Sequence, residues 1–487
     1  MSSPLLLGID EGTTAVKAAL FDLDLRCVAA ARRPLAVMHP RAGWVEQDPE
    51  AILDAVVDAV AELLASAGGR EVLAAGLDHQ GESVLGWEAG GQALTPVIVW
   101  QDKRQEALLA QIDPASVARS GLPLDPYFSA GKLAWLLAHD GAVARARERG
   151  TLRLGTVDAF LAERLGGRFA TDLSTASRTQ LLAVGGRDWD ASLLATFGVR
   201  REWLPALAPT FGELGELRHE RWPAALALTA QLVDQQAALA GSGAVAPGEL
   251  KASYGTGVFV LGRTPRPTLD ARLLPTVAWA APGAGETIGA VAHALDGGVF
   301  AAGSLLDWLA HGLGLAPDAA SLARAAAGVQ DSDGVLVLPA LAGLGAPWWR
   351  ADAHGVIAGL HAGARPAHVA RAALEAIAWR VADIVEEFAN LAPVDELRVD
   401  GGLTREATLL SLQADAAGVP LRVGPPDTTV LGAALLAGVG AGAFASVEDA
   451  AERLPAGRLV EPRAGGGGER VRRRARWREF VQAAAEL

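Results

Sequence analysis

The chain has 487 residues, 51% of them hydrophobic and 20% charged, with 43 Lys and Arg against 56 Asp and Glu for a formal charge of −13. That length exceeds one typical core and points to two or more domains, and the composition excludes a largely disordered chain. The acidic balance argues against nucleic acid and membrane surfaces as partners, and the single cysteine, Cys27, excludes an intrachain disulfide and a Cys-built zinc site.

The opening, MSSPLLLGIDEGTT, has no basic region and only a short apolar run, so no signal peptide is expected and a cytoplasmic location fits. Leu5–Ile9 reads as a buried strand, residues 10–14 as a polar, glycine-bearing turn, and Val16–Phe21 and Cys27–Arg32 as further strands. Asp48-Pro49-Glu50 places an N-cap before a first-turn proline, followed by apolar residues at helical spacing from Ile52 to Leu64. Strands are expected at Val72–Leu77, stopping at Asp78–Ser83, at Val97–Trp100, stopping at Gln101-Asp102, and at Leu226–Val233, stopping at Asp234-Gln235-Gln236. Strands ending in clusters of polar residues are how α/β folds build sites.

The second half repeats the pattern. Leu250–Ser253 runs into Tyr254-Gly255-Thr256-Gly257 and then Val258–Leu261, and Leu397–Val399 runs into Asp400-Gly401-Gly402. A structural duplication is the economical reading, with domains at 1–244 and 245–487 and a hinge supplied by Gly241, Gly243 and Pro247-Gly248. Thr428–Ser446 carries no charge over nearly the ~20 residues of a membrane span. Its many Ala and Gly instead predict a buried helix packed at close range. Near the end, residues 465–468 read as a linker, and the arginines from Arg470 to Arg478 as one solvated helix face.

The glycine-bearing turns can bring backbone N–H groups and Thr hydroxyls against phosphate oxygens, and Asp10 beside them can hold Mg²⁺. A carboxylate at a strand end, Asp234, suits the base that takes a hydroxyl proton during phosphoryl transfer; its plain reading is a helix N-cap, and the two are compatible.

These residues, with Gly43–Pro49, Ile98–Asp102, Gly121–Ser129, Lys132, Trp135, Thr175–Thr179, Asp234–Ala238, Gly343–Pro347 and Val399–Gly402, resemble the FGGY carbohydrate kinases, most closely their glycerol kinase branch, from about Leu5 to Gly442. The resemblance implies an α/β fold of two actin-like (ribonuclease-H-like) domains around a catalytic cleft. It implies ATP and Mg²⁺ as cofactors, a small polyol or sugar as substrate, and assembly as a homodimer or homotetramer. By resemblance Asp234 is the catalytic base and Asp10 the metal-site residue. Thr13, Thr14, Lys17, Thr256, Gly257, Gly303, Asp307, Gly402 and Leu403 match ATP contacts. Gln80, Gly81, Glu82, Trp100, Tyr127, Asp234 and Gln235 match the polyol pocket.

Three departures stand out. Lys17 replaces an Arg, which keeps a charge but loses a fork of donors. Asp307, Leu403 and Glu406 stand where Gln, Ala and Asn are common at the adenine end. Gly81 replaces the Arg that binds substrate hydroxyls, which is expected to open space beside His79 for a tetritol, pentitol or ketose as the alternative to glycerol. A non-catalytic actin-fold sensor of nucleotide or sugar is the reading from another class; it would dispense with Asp10 or Asp234, and both are present.

Overall fold

The structure is a computed structural model that describes residues 3–269, 272–285, 287–464 and 466–486. Its first sheet contains β1 (Leu5–Glu11), β2 (Ala15–Phe21), β3 (Cys27–Pro34), β4 (Val72–His79), β5 (Glu216–Leu217) and β6 (Leu226–Val233), in the order β5-β6-β4-β1-β2-β3. The hairpin strands β1, β2 and β3 are antiparallel, while β4 lies parallel to β1 and β6 parallel to β4. The second sheet contains β7 (Leu250–Tyr254), β8 (Val258–Thr264), β9 (Leu274–Pro282), β10 (Ile288–Val299), β11 (Leu397–Asp400), β12 (Leu421–Val423) and β13 (Arg458–Val460). Its order is β9-β10-β8-β7-β11-β12-β13, with β7, β8 and β10 antiparallel and β11 and β12 parallel to β7. The series β3-β2-β1-β4-β6 and β10-β8-β7-β11-β12 are therefore the same arrangement twice, the duplication expected from the turns.

Helix α1 (Pro49–Ser66) covers the β2–β3 side of the first sheet with Ile52, Val56, Val57, Val60 and Leu63. Asp48 caps it, accepting from Glu50 N at 2.9 Å. Asp48→Ala should cost about 1 kcal/mol, read by denaturant unfolding. The short helix α2 (Leu173–Ala176) is capped by buried Asp172. Helix α3 (Asp234–Gly241) follows β6 directly; α4 (Gly303–Asp307) and the long α5 (Pro366–Ala389) belong to the second half.

The uncharged stretch forms α6 (Thr428–Gly440), which packs not on the second sheet but on α3, β1 and β4 of the first. Its core joins Leu6, Ala74 and Leu232 to Val430, Ala433 and Leu436. The approach is backbone to backbone. A Cβ at Gly8, Gly76 or Gly241 would run into the carbonyl of Val430, Ala433 or Thr428, and one at Gly432 into that of Ala237. Residues 428–451, in the second half of the chain, thus pack on the first sheet and α3, where Gly8, Gly76 and Gly241 let the backbones approach. Gly241 lies in this packed helix rather than in a hinge, whereas Gly243 and Gly248 occupy left-handed turns at φ +81° and +93°. Among the described residues, no helix is long and apolar enough to cross a membrane.

The Arg-rich segment is α7 (Gly467–Ala484), which absorbs part of the expected linker; Gly465 lies outside the described residues. Its apolar side buries Trp477 and Val481, and its arginines pair with α5: Arg473 with Glu375 at 2.9 Å, Arg474 with Asp383 at 3.3 Å and Arg478 with Glu386 at 2.6 Å. The charge run is thus largely explained by ion pairing along one helix.

Candidate active site

Three parallel strands of the first sheet, β1, β4 and β6, end side by side. Asp10 is the register partner of Asp78, and Val233 that of His79. Their carboxyl ends therefore deliver Asp10, Glu11, Asp78 and Asp234 to one edge, the position where open α/β sheets place ligands. Strand β1 runs two residues further than expected, so Asp10 and Glu11 stand in the ladder and only residues 12–14 turn.

This edge is an acid cluster. Burial, followed by the charge of Asp10, raises the Asp78 carboxyl well above its usual range; burial likewise raises Glu11 and Asp10, the latter restrained by Lys17. Both oxygens of Asp78 and Oε2 of Glu11 have no hydrogen-bond donor. Orphaned buried carboxylate oxygens at a strand end fit a hard cation. Among the described residues, no three metal-ligating side chains form a ready ligand set.

Asp234 opens α3, with Val233 as the N-cap residue, so it is the first helical residue and not the cap itself. Its Oδ1 accepts from Gln235 N at 2.6 Å. Burial raises its pKa to about 7, helped by the charges of Glu82 and Asp10 and opposed by Lys251. Glu82, in contrast, is buried with a left-handed backbone, φ +61°, a conformation unfavourable for a side-chain-bearing residue. Trp100 and Tyr127 meet edge to face at 5.7 Å.

Gln80 does not project into the pocket as expected of a substrate contact. Its amide nitrogen donates to Glu11 and Gln47, both at 2.8 Å, and its oxygen accepts from Thr13 at 3.2 Å and Ser83 at 3.1 Å. All four of its hydrogen-bonding positions are spent inside the protein, so Gln80 braces the Thr13 turn. Trp100 Nε1 donates to Thr13 Oγ1 at 3.0 Å and completes that brace.

The expectation of free space at Gly81 also needs correction. A Cβ there would collide with Val233 Cγ2. His79 is buried and faces away, 3.1 Å from Thr175 Oγ1 and 3.4 Å from Asp158. The guanidinium in this region comes instead from Arg178, whose Nε donates to Glu82 Oε1 at 2.7 Å.

The second domain brings its loops together in the same manner. Gly303 N donates to Gly255 O at 3.1 Å and Ala302 N to Thr256 O at 2.9 Å. A Cβ at Gly257 would stand 2.5 Å from Val299 O, and one at Gly303 2.7 Å from Gly255 O, so both positions exclude side chains. Gly401 turns at φ +95° against Tyr254, and Gly402 faces open space. Thr14, Thr256 and Asp307 are exposed, and Leu403 is half-buried against the second core. Lys17 pairs with Asp427 of the second domain at 2.6 Å.

Three residues here carry no role in the sequence reading. Buried Lys251 on β7 donates to Gln235 Oε1 at 2.6 Å and Ser253 Oγ at 2.9 Å, joining the two domains beside Asp234. Arg178 and Asp296 form an ion pair at 3.0 Å. A lysine and an aspartate inside otherwise apolar strands are the signals that sequence offered for two of them; Arg178 lay within a matched motif.

The N-terminal domain model of the FGGY family of carbohydrate kinases matches residues 5–241 and the C-terminal domain model residues 250–441. A glycerol kinase of Citrifermentans bemidjiense is 42% identical over 451 residues, covering 90% of each chain, and one of Aromatoleum aromaticum is 41% identical, covering 98% of each. Among solved structures, Plasmodium falciparum glycerol kinase with ADP superposes with a TM-score of 0.90 at 26% identity over 99% of this chain and 98% of that one. A xylulose kinase from Rhodospirillum rubrum gives 0.86 at 25% identity over 98% of each. The chain belongs to the FGGY family of carbohydrate kinases, phosphotransferases that act on an alcohol group, and its two-domain α/β structure is theirs.

Proposed function

We propose that the protein transfers the terminal phosphoryl group of ATP to a hydroxyl of a small polyol, glycerol or a close homologue, with Asp234 as general base. The observation that carries this reading is the placement of Asp234. It stands at the carboxyl edge of the first sheet between the Glu82 side and the acid cluster of Asp10, and its pKa is about 7. A base poised near neutrality is the best compromise between being ionised and being basic enough to accept a proton.

In this reading the acceptor lies against Trp100 and Tyr127 with its hydroxyls toward Glu82, Asp234 and Gln235. The phosphates of ATP lie across the cleft against the turns of Thr13–Thr14, Thr256–Gly257, Gly303 and Gly402. As the acceptor oxygen attacks the terminal phosphorus, its proton passes to Asp234 and the bond to the ADP oxygen breaks. Asp10, with Asp78 behind it, would hold Mg²⁺, which neutralises phosphate charge when bound. Lys251 keeps Gln235 aligned with the base. The boundary near residues 244 and 245 separates acceptor-binding and ATP-binding halves, with 428–451 packed back on the first.

An ADP-release assay with ATP, Mg²⁺ and a panel of glycerol, erythritol, threitol, arabitol and xylulose tests this. ATP-dependent product with at least one acceptor is expected, at a rate far above that without acceptor. Equal ADP release with and without every acceptor would refute it.

A further inference from the structure

We propose that Lys251 is a positioning residue for phosphoryl transfer: it turns the Gln235 amide so that its NH2 group, not its carbonyl, meets the attacking hydroxyl. This inference rests on the kinase reading above and specifies how the acceptor side of that same cleft is set.

Lys251 is 1% exposed, whereas Asp234 and Gln235, at the start of α3, are only half-buried. Lys251 Nζ stands 2.6 Å from Gln235 Oε1. An ammonium donates and never accepts, so the amide atom that faces it is the oxygen. The other end of the amide, Gln235 Nε2, makes no hydrogen bond among the described residues and stays within reach of solvent. The next residue shows the contrast. Gln236 is buried, and its Nε2 is spent on Thr276 Oγ1 at 2.9 Å and Val277 O at 3.2 Å. Gln236 therefore pins α3 to β9, while Gln235 keeps a donor free.

That donor complements the base. Asp234 spends Oδ1 on Gln235 N at 2.6 Å, which leaves Oδ2 to accept. A hydroxyl both donates and accepts. The acceptor hydroxyl that gives its hydrogen to Asp234 can thus take a hydrogen bond from Gln235 Nε2, with its remaining lone pair toward the terminal phosphorus. As the new O–P bond forms, the proton passes to Asp234 and the bond to the ADP oxygen breaks. A Gln235 turned the other way would present its carbonyl and compete with Asp234 for the same hydrogen.

Lys251 also ties this donor to the second domain. Its Nζ lies 2.9 Å from Ser253 Oγ, two residues before Gly255 on the strand that enters the Gly255–Gly257 turn. Ser253 is the register partner of Asp400, which precedes Gly401-Gly402 at the end of β11. One ammonium therefore holds the Gln235 amide against the strand ends that carry two of the turns proposed above for phosphate. Burial lowers the Lys251 pKa, and the charges of Asp400, Asp234 and Asp296 oppose that. The cation is thus bounded by acids from both domains.

The test measures kcat/KM for the best acceptor of the panel, ADP affinity by titration calorimetry, and melting temperature. Lys251→Met is expected to lower kcat/KM for the acceptor by about 10–100-fold, with ADP affinity within about threefold of wild type. Adding Gln235→Ala to Lys251→Met should cost less than about threefold more, because both changes remove the same oriented donor. Gln235→Glu keeps an oxygen for Lys251 but has no NH2 to present. It should lose about 10–100-fold in kcat/KM while melting no lower than wild type, and it decides the matter alone if Lys251→Met does not fold. Gln235→Glu with wild-type kcat/KM, single losses that multiply in the double variant, or ADP affinity lost in proportion to turnover in Lys251→Met would each overturn the inference while leaving the kinase reading intact. Absence of ATP-dependent turnover by wild type with every acceptor would instead refute the kinase reading, and this inference would fall with it.

Discussion

Asp234→Asn is expected to lower kcat by about 10²–10⁴-fold with acceptor and ATP affinities nearly unchanged, because it removes a proton acceptor while preserving size and hydrogen-bonding shape. Two pH effects accompany the loss. In wild type, kcat/KM for the acceptor should fall about tenfold per unit below pH about 7, where Asp234 becomes protonated. Stability should move in the opposite sense. The folded pKa of about 7 lies above the ordinary 3.8, so folding favours the protonated form. The cost of holding the charge is absent at the lowest pH, grows through the interval from 3.8 to about 7, and is constant above it. The Asn variant should therefore melt above wild type at alkaline pH, by on the order of 1–2 kcal/mol after allowance for solvent in the cleft, and converge with it in acid. Scanning calorimetry of both proteins reads this directly. A pH–rate profile flat across neutrality, or an Asn variant of full activity, would remove Asp234 from the mechanism.

Gly432→Val should be strongly destabilising. A Cβ at 432 would lie 2.6 Å from Ala237 C and 2.8 Å from Gly241 N, both backbone atoms of α3. No rotamer change relieves a clash with backbone, so α6 must lift away from α3. That lift would also loosen its seat on Gly8 and Gly76. The expected loss exceeds about 4 kcal/mol, a large share of the roughly 5–15 kcal/mol that holds a domain together. Gly432→Ala brings the same Cβ against the same backbone and should lose about 3 kcal/mol or more, less than Val only by the absence of the γ-methyls. Gly467→Ala, where a Cβ meets no neighbour, should stay within about 0.5 kcal/mol. Denaturant unfolding that ranked these three equally would contradict the close-packing account. Since α3 carries Asp234 at its first position, the Val variant should lose activity along with stability.

Much of the site was legible because strand ends and turns leave local marks. An apolar run stopping at Asp10, Asp78, Asp234 or Asp400 reads directly as a strand delivering a polar group, and the glycines after β7 and β11 read as turns. The strand expected over Val97–Trp100 shrank to Val97–Ile98, which pairs with the two-residue strand Glu46–Gln47 and, at Ile98 alone, with Val84, so neither neighbour offers a longer ladder. Gln80 and Gly81 were misread for a related reason. Their neighbours in sequence mark a pocket, but which atoms face it depends on Glu11, Gln47, Thr13 and Val233, all distant along the chain.

The sequence by itself determined the two-fold α/β pattern and the carboxylates at the strand ends, because periodicity and turn chemistry act between near neighbours, and its motifs in order carried the resemblance to the family. Tertiary structure alone decided that residues 428–451 pack against the first sheet, that Gln80 braces the Thr13 turn while Arg178 pairs with Glu82, and that Lys251 and Asp296 cross from the second domain to meet the first. Those outcomes rest on contacts between residues up to hundreds of positions apart, where close packing of backbone and the pairing of buried charges, not local preference, select the arrangement.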